Sequence, residues 1–236
     1  MPATRTERIT ASDGSFDAHL ALPEPGRGPG IVLCQEIFGV NDYIHAAANR
    51  LASRGFVVAA PDLFWRMEPH VALPHDEDGL NRAMGFAQRL DAGGAVEDCD
   101  ATLQHLRSLP EVAGPTGVLG FCLGGTLAYL LAARSDPGFA VSYYGSGVPD
   151  ALDAAAGITC PLLLHFGGND PYIPRDAVER ARAALEGRDD VEFHIHEGAG
   201  HAFDNHEAPM FHDPQAAEAA WRLTAGFLER RAAASA

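Results

Sequence analysis

The sequence predicts an α/β fold, a mostly parallel central sheet with helices on both faces and an antiparallel N-terminal hairpin at one edge. Three observations carry this. Short continuous apolar runs recur along the chain, segments with helical spacing separate them, and the first two runs alternate in polarity around Asp13-Gly14. Continuous apolar runs mark strands buried on both faces, as in parallel sheets covered by helices. Alternation around Asp-Gly marks a hairpin that can leave one face wet.

Taken in order, residues 5–10 and 15–22 pair through the turn at Ser12-Asp13-Gly14. Strand 30–34, helix 42–54 and strand 56–60 then form a β-α-β unit. Residues 64–79, rich in Pro, His and acidic residues and without a period, are a loop or cap. Helices follow at 78–90 and 94–108, a strand at 118–120, and a helix begins just after Cys122. Strands at 139–144 and 161–166, a helix at 176–185, a strand at 191–196 and a closing helix at 214–231 complete the pattern, with the Ala-rich tail at 230–236 a frayed helix end.

Composition bounds the class. At 236 residues with 47% hydrophobic content, the chain fits one domain spanning residues 1–236 with a sizeable core. The net charge of −15 repels phosphate backbones and anionic lipid, so nucleic acid is not an expected partner. No basic segment followed by a short apolar stretch opens the sequence, and no apolar run of about 18 residues could span a bilayer. These features predict a cytoplasmic chain that does not contact membrane, as a monomer or small homo-oligomer. The four cysteines are scattered, without a C-x-x-C pair, so free thiols are expected rather than a zinc cage or disulfide framework.

In sheets of this kind, sites form beyond the carboxyl ends of the strands. Four predicted strand ends carry unusual chemistry: Gln35-Glu36-Ile37-Phe38-Gly39, then Cys122, then Gly168-Asn169-Asp170, then Gly198-Ala199-Gly200-His201. Nucleophile, acid and histidine follow in the chain order of the α/β-hydrolase triad, with Cys122 where G-x-S-x-G has serine. Gly120 and Gly124 leave room for a sharp strand-to-helix turn, and the helix start directs free N–H groups at the sulfur, favouring thiolate. His201 is then the general base, and Asp170 orients it. The bland alternatives are a packed thiol at Cys122, a surface His201 and a turn-forming Asp170 in Asn169-Asp170-Pro171.

The chain resembles the dienelactone hydrolase family, the cysteine-dependent branch of the α/β-hydrolases. The resemblance rests on Gln35 to Asn41, Ala60-Pro61-Asp62-Leu63, Gly120-Phe121-Cys122-Leu123-Gly124-Gly125, Gly168-Asn169-Asp170 and Ala199-Gly200-His201. It implies hydrolysis of a carboxylic ester or lactone, without a cofactor, through a Cys122 acyl-enzyme. It also implies an oxyanion hole from the Ile37 and Leu123 N–H groups. Glu36 would serve as a gate, accepting a hydrogen bond from Cys122 at rest and shifting when substrate binds. Without that resemblance Glu36 is an acid near a helix start.

Members that act on dienelactone hold its carboxylate with two arginines. At one of those places this sequence has Asn205; Arg82 could meet the other, or be a solvated helix residue. A neutral ester, lactone or thioester therefore stands beside dienelactone as expected substrate. Phe38, Tyr144, Ala202, Asn205 and Arg82 are the candidate substrate contacts, and Trp65, Phe86 and Phe203 could also line an apolar pocket. Two other classes compete: metal binding by the group His194, His196, His201, His206 and His212, which lacks a zinc spacing, and a hydrolase fold that only binds.

Overall fold

Strand β1 (Ala3–Ala11) turns back through Ser12 and Asp13 into β2 (Gly14–Leu22), with Ala11 opposite Gly14, in a computed structural model that describes residues 2–233. The expected hairpin therefore forms at the Asp-Gly turn. After it come β3 (Gly28–Cys34), α1 (Asp42–Ala52), β4 (Val57–Pro61), α2 (Glu77–Arg89), α3 (Ala92–Ser108) and β5 (Val112–Phe121). The remainder is α4 (Leu123–Arg134), β6 (Ala140–Tyr143), β7 (Leu162–Gly167), α5 (Arg175–Ala184), β8 (Val191–His196) and α6 (Pro214–Ala233). Of the tail expected to fray, residues 230–233 are helical and residues 234–236 lie outside the described residues.

The strands form one eight-stranded sheet in the order β1-β2-β4-β3-β5-β6-β7-β8. The hairpin joins β4 antiparallel and every later pairing is parallel. Burial follows position in that order. β4 and β7 are buried along their whole length, so helices cover both of their faces, whereas β1 and β8, at the sheet's two ends, are partly open. Around the sheet, α1 and α6 meet where Arg50 lies over the Trp221 ring, and α3 and α4 meet through Glu97 and Arg134.

Helix starts follow capping chemistry. Asn41 accepts from the Ile44 N–H to open α1, and Asp76 accepts from the Gly79 N–H to open α2. The segment at 64–79 does serve as a cap: Phe38, Phe64, Val71, Leu73, Ala83 and Phe86 form their own buried cluster. Burying each of the Phe, Val and Leu side chains among them contributes about 1.5–3 kcal/mol, enough to fix an otherwise irregular segment. The parallel register then aligns the strand ends that matter. Cys34, Gly120 and Ser142 are neighbours across β3, β5 and β6, so the residues following them emerge along one edge.

Candidate active site

Cys122 stands between the last residue of β5 and the first of α4, at φ 52° and ψ −114°, a left-handed conformation that an L-residue adopts only under constraint. Its N–H is held by the Tyr143 carbonyl at 3.0 Å and its carbonyl by the Thr126 N–H at 3.1 Å. The glycines make this possible. A Cβ on Gly120 would strike the Gly124 carbonyl, and one on Gly124 would strike the Cys34 carbonyl at the end of β3. The helix start therefore sits directly on the sheet edge. Cys122 is half-buried, whereas Cys34, Cys99 and Cys160 are buried.

Two loops bring the partners. His201 Nε2 lies 3.1 Å from Cys122 Sγ, and His201 Nδ1 lies 2.7 Å from Asp170 Oδ2. Asp170 divides its oxygens: Oδ1 accepts the Tyr172 and Ile173 N–H groups at 2.8 and 3.2 Å, leaving Oδ2 for the histidine. Turn residue and ring partner are thus one role each for two oxygens. Burial alone would lower the His201 imidazolium, but its hydrogen bonds to Asp170 and Cys122 outweigh that and push it up to about 10. Such a line of carboxylate, imidazole and thiol can hold a thiolate beside an imidazolium.

The dienelactone hydrolase family matches residues 16–232. The chain belongs to the dienelactone hydrolase family. It is similar to the carboxymethylenebutenolidase of Pseudomonas sp. strain P51, at 38% identity over 92% of this chain and 91% of that one. The Pseudomonas putida carboxymethylenebutenolidase is 34% identical over 83% of this chain and 84% of its own length. Among solved structures, a protein of Klebsiella pneumoniae assigned as a dienelactone hydrolase matches with a TM-score of 0.82 at 26% identity, covering 95% of this chain and 97% of that one. Family membership and the α/β-hydrolase fold agree with the motif reading.

Around the line of Asp170, His201 and Cys122, the other expected site residues fall into distinct places. Leu123 is the first residue of α4, so its N–H is one of that helix's free donors, and the Ile37 N–H also has no acceptor among the described residues. Glu36 is buried but is not bonded to Cys122. Its Oε2 accepts the Asn205 Nδ2–H at 2.6 Å, its Oε1 has no hydrogen-bond partner among the described residues, and the sulfur pairs with His201 instead. The expected resting contact between Glu36 and the thiol is therefore not formed: the carboxylate bonds the Asn205 amide, and the sulfur pairs with the His201 ring.

The expected substrate contacts are largely engaged elsewhere. Asn205 is 1% exposed, with its amide nitrogen on Glu36 and His75 and its oxygen on the Glu207 N–H, so the protein itself uses its hydrogen-bonding groups. Arg82 lies exposed on α2, paired with Glu68 at 3.1 Å. Phe38 is buried in the cap cluster with its ring on His75. Trp65 is engaged elsewhere, stacked on Phe16 and bonded to Asp98. Phe86 packs inside the cap and Phe203 inside the main core. Tyr144 does reach the site, its ring centroid 5.3 Å from that of His201, as does Ala202, which takes φ 52° in the turn that follows the histidine.

Sequence reasoning missed three residues. Tyr172, two residues past Asp170, is exposed and sets its ring edge-on to His201 at 5.2 Å. Tyr43 donates to Asp204 Oδ2 at 2.9 Å and meets Tyr144 beneath the site. His75 bonds Asn205 from the cap. Tyr172 could have been found from its place after a strand end; Tyr43 and His75 carry no motif. The histidines weighed as metal ligands do not gather into a cage: among the described residues no group of three or more His, Cys, Asp or Glu side chains could hold a metal ion. No described helix is long and apolar enough to cross a membrane.

Proposed function

We propose that the chain hydrolyses a carboxylic ester or lactone through a Cys122 acyl-enzyme, with His201 as acid and base and Asp170 as its orienter. One observation carries this reading: the continuous line from Asp170 Oδ2 through the His201 ring to Cys122 Sγ, at 2.7 and 3.1 Å. His201 Nε2, 3.1 Å from the sulfur, takes the thiol proton, and the sulfur attacks the carbonyl carbon as thiolate. The carbonyl oxygen becomes an oxyanion facing the Ile37 and Leu123 N–H groups. As the C–O bond breaks, the departing alkoxide takes the Nε2 proton. Water then adds to the thioester while His201 recovers a proton, and the thiolate leaves.

The substrate we favour is uncharged near the scissile carbonyl. Arg82 and Asn205 are both committed to other partners, so neither supplies the charge-assisted fork that a substrate carboxylate would use. The second reading, a carboxymethylenebutenolidase activity on an anionic dienelactone, is supported by the family and by the names of its relatives. A panel of dienelactone, neutral lactones and aryl esters, run with wild type and Cys122→Ala, separates them. We expect neutral substrates to give the higher kcat/KM, and Cys122→Ala to lose turnover by roughly 10⁴-fold or more. Wild-type rates in Cys122→Ala would remove the mechanism; a clear preference for dienelactone would remove only the substrate.

A further inference from the structure

Between α1, β5 and α6 the side chains leave a cavity of about 280 Å³. Two alanines make the room. Ala46 and Ala47 follow Tyr43 at the three- and four-residue spacing of one helix face, and Leu119 and Phe121, two apart, bring one face of β5. The Trp221 ring of α6 forms another wall, with the Arg50 guanidinium 3.8 Å over its centroid. The cavity opens to solvent at Arg50 and His206, which are exposed. Cys122, His201 and Asp170 are not among its lining residues, so it is separate from the candidate active site.

One lining group is incompletely bonded. Asp204 is 6% exposed, so its carboxylate depends on donors other than bulk water. Oδ2 accepts the Tyr43 hydroxyl at 2.9 Å. Oδ1 has no hydrogen-bond partner among the described residues: Arg50 Nη1 stands 3.6 Å away, near enough for charge attraction and too far for a hydrogen bond. Tyr43 and Arg50, which face the two oxygens, both line the cavity, so the carboxylate borders it.

Charge decides the class of ligand. Asp204 would repel a carboxylate, and an ammonium donating to Oδ1 would meet the Arg50 guanidinium at the same oxygen. A neutral hydroxyl suits both, because its O–H donates to Oδ1 while its oxygen accepts from Arg50. The walls decide the body. The rings of Tyr43, Phe121 and Trp221 favour a flat aromatic one, and the volume suits a single ring, since an apolar cavity of about 150 Å³ holds benzene. We propose that this cavity is a binding site for a neutral one-ring phenol, whose hydroxyl donates to Asp204 Oδ1 and whose ring lies among Tyr43, Phe121 and Trp221. Through Oδ2 and the Tyr43 hydroxyl the same carboxylate reaches Tyr144, whose ring packs on His201. The site therefore adjoins the candidate triad without sharing its reacting atoms.

The test is a fluorine NMR titration of the full chain with para-fluorophenol, para-fluoroanisole and para-fluorobenzoate. The phenol should bind saturably, with a Kd of about 1 mM or below. The anisole, which lacks the donor, should bind weaker by roughly tenfold or more, and the benzoate weaker still. Ala47→Met fills the cavity and should abolish phenol binding; if that variant does not fold, Ala46→Met at the half-buried neighbouring position must do the same. Alkylation of Cys122 with iodoacetamide should leave phenol binding unchanged. The proposal is overturned by the absence of saturable phenol binding, by equal binding of the anisole or the benzoate, or by wild-type affinity in the folded cavity-filling variant. Loss of binding on Cys122 alkylation overturns it too, because the phenol would then sit at the candidate active site. The Cys122 mechanism is decided separately, by turnover in Cys122→Ala.

Discussion

Two buried histidines at the same end of the sheet are set to opposite states. His201 is 8% exposed and His165 0%, so burial does not distinguish them. His201 faces Asp170 and the Cys122 sulfur, and its imidazolium persists up to about 10. His165 meets His196 at 3.1 Å and Thr224 at 3.0 Å, with Tyr143 bonded to the same threonine, and no carboxylate bonds its ring among the described residues. Burial pushes it well below 6.5, and His196 and His194 add to that. The partners, not the depth, decide which histidine carries charge. One arrangement is suited to proton transfer; the other is a neutral strut between β7 and α6.

The largest break in this contrast is Asp170→Asn. Its Oδ1 can still accept the Tyr172 and Ile173 N–H groups, so the turn survives while the ring's acceptor becomes a donor. We expect kcat to fall by roughly 10²–10⁴-fold. The His201 titration, followed by the NMR signal of its ring, should move down from about 10. A full loss of kcat with an unmoved titration would mean that Asp170 acts in some other way.

A smaller effect is expected at the strut. His165→Asn leaves groups on Thr224 and His196 unpaired and should cost about 1–3 kcal/mol, several degrees in melting temperature, with turnover on a good substrate retained. A fall in kcat comparable to that of Asp170→Asn would erase the distinction between the two histidines.

The pH dependence of stability separates the two sites as well, because they act on opposite limbs. His201 is raised in the fold, so its contribution is complete below its ordinary value of 6.5 and is lost as pH rises towards about 10. His165 is lowered, so its contribution is present above 6.5 and is lost as pH falls below it, because the unfolded chain then binds the proton that the fold refuses. Melting curves between pH 5 and 10 should show His165→Asn flattening the acid limb and Asp170→Asn flattening the alkaline one. The reverse assignment would contradict the stated directions.

Much of this was legible in sequence because it is local. Strands whose apolar runs are continuous were found within a residue or two, and β8 at its bounds, 191–196. β5 begins at Val112, well before the expected 118, because Gly114 and Pro115 suggest a turn although Val112 pairs with Gly28 across an irregular register. Tertiary pairing there overrides local preference. The candidate triad was legible because each member follows a strand and the sheet brings strand ends together. The Glu36-Asn205-His75 group was not. Asn205 lies 169 positions from Glu36 and 130 from His75, and no spacing rule connects a cap loop to a post-histidine turn. Asn205 was weighed as a missing arginine facing substrate, whereas its amide faces the protein.

The most direct measurement is intact-protein and peptide mass spectrometry on samples acid-quenched milliseconds to seconds after mixing with a slowly hydrolysed activated ester. The Cys122 mechanism requires an acyl mass added to the peptide bearing Cys122, formed at least as fast as turnover, removed by water on standing, and absent from Cys122→Ala. Turnover without any such adduct, together with an active Cys122→Ala protein, would contradict it.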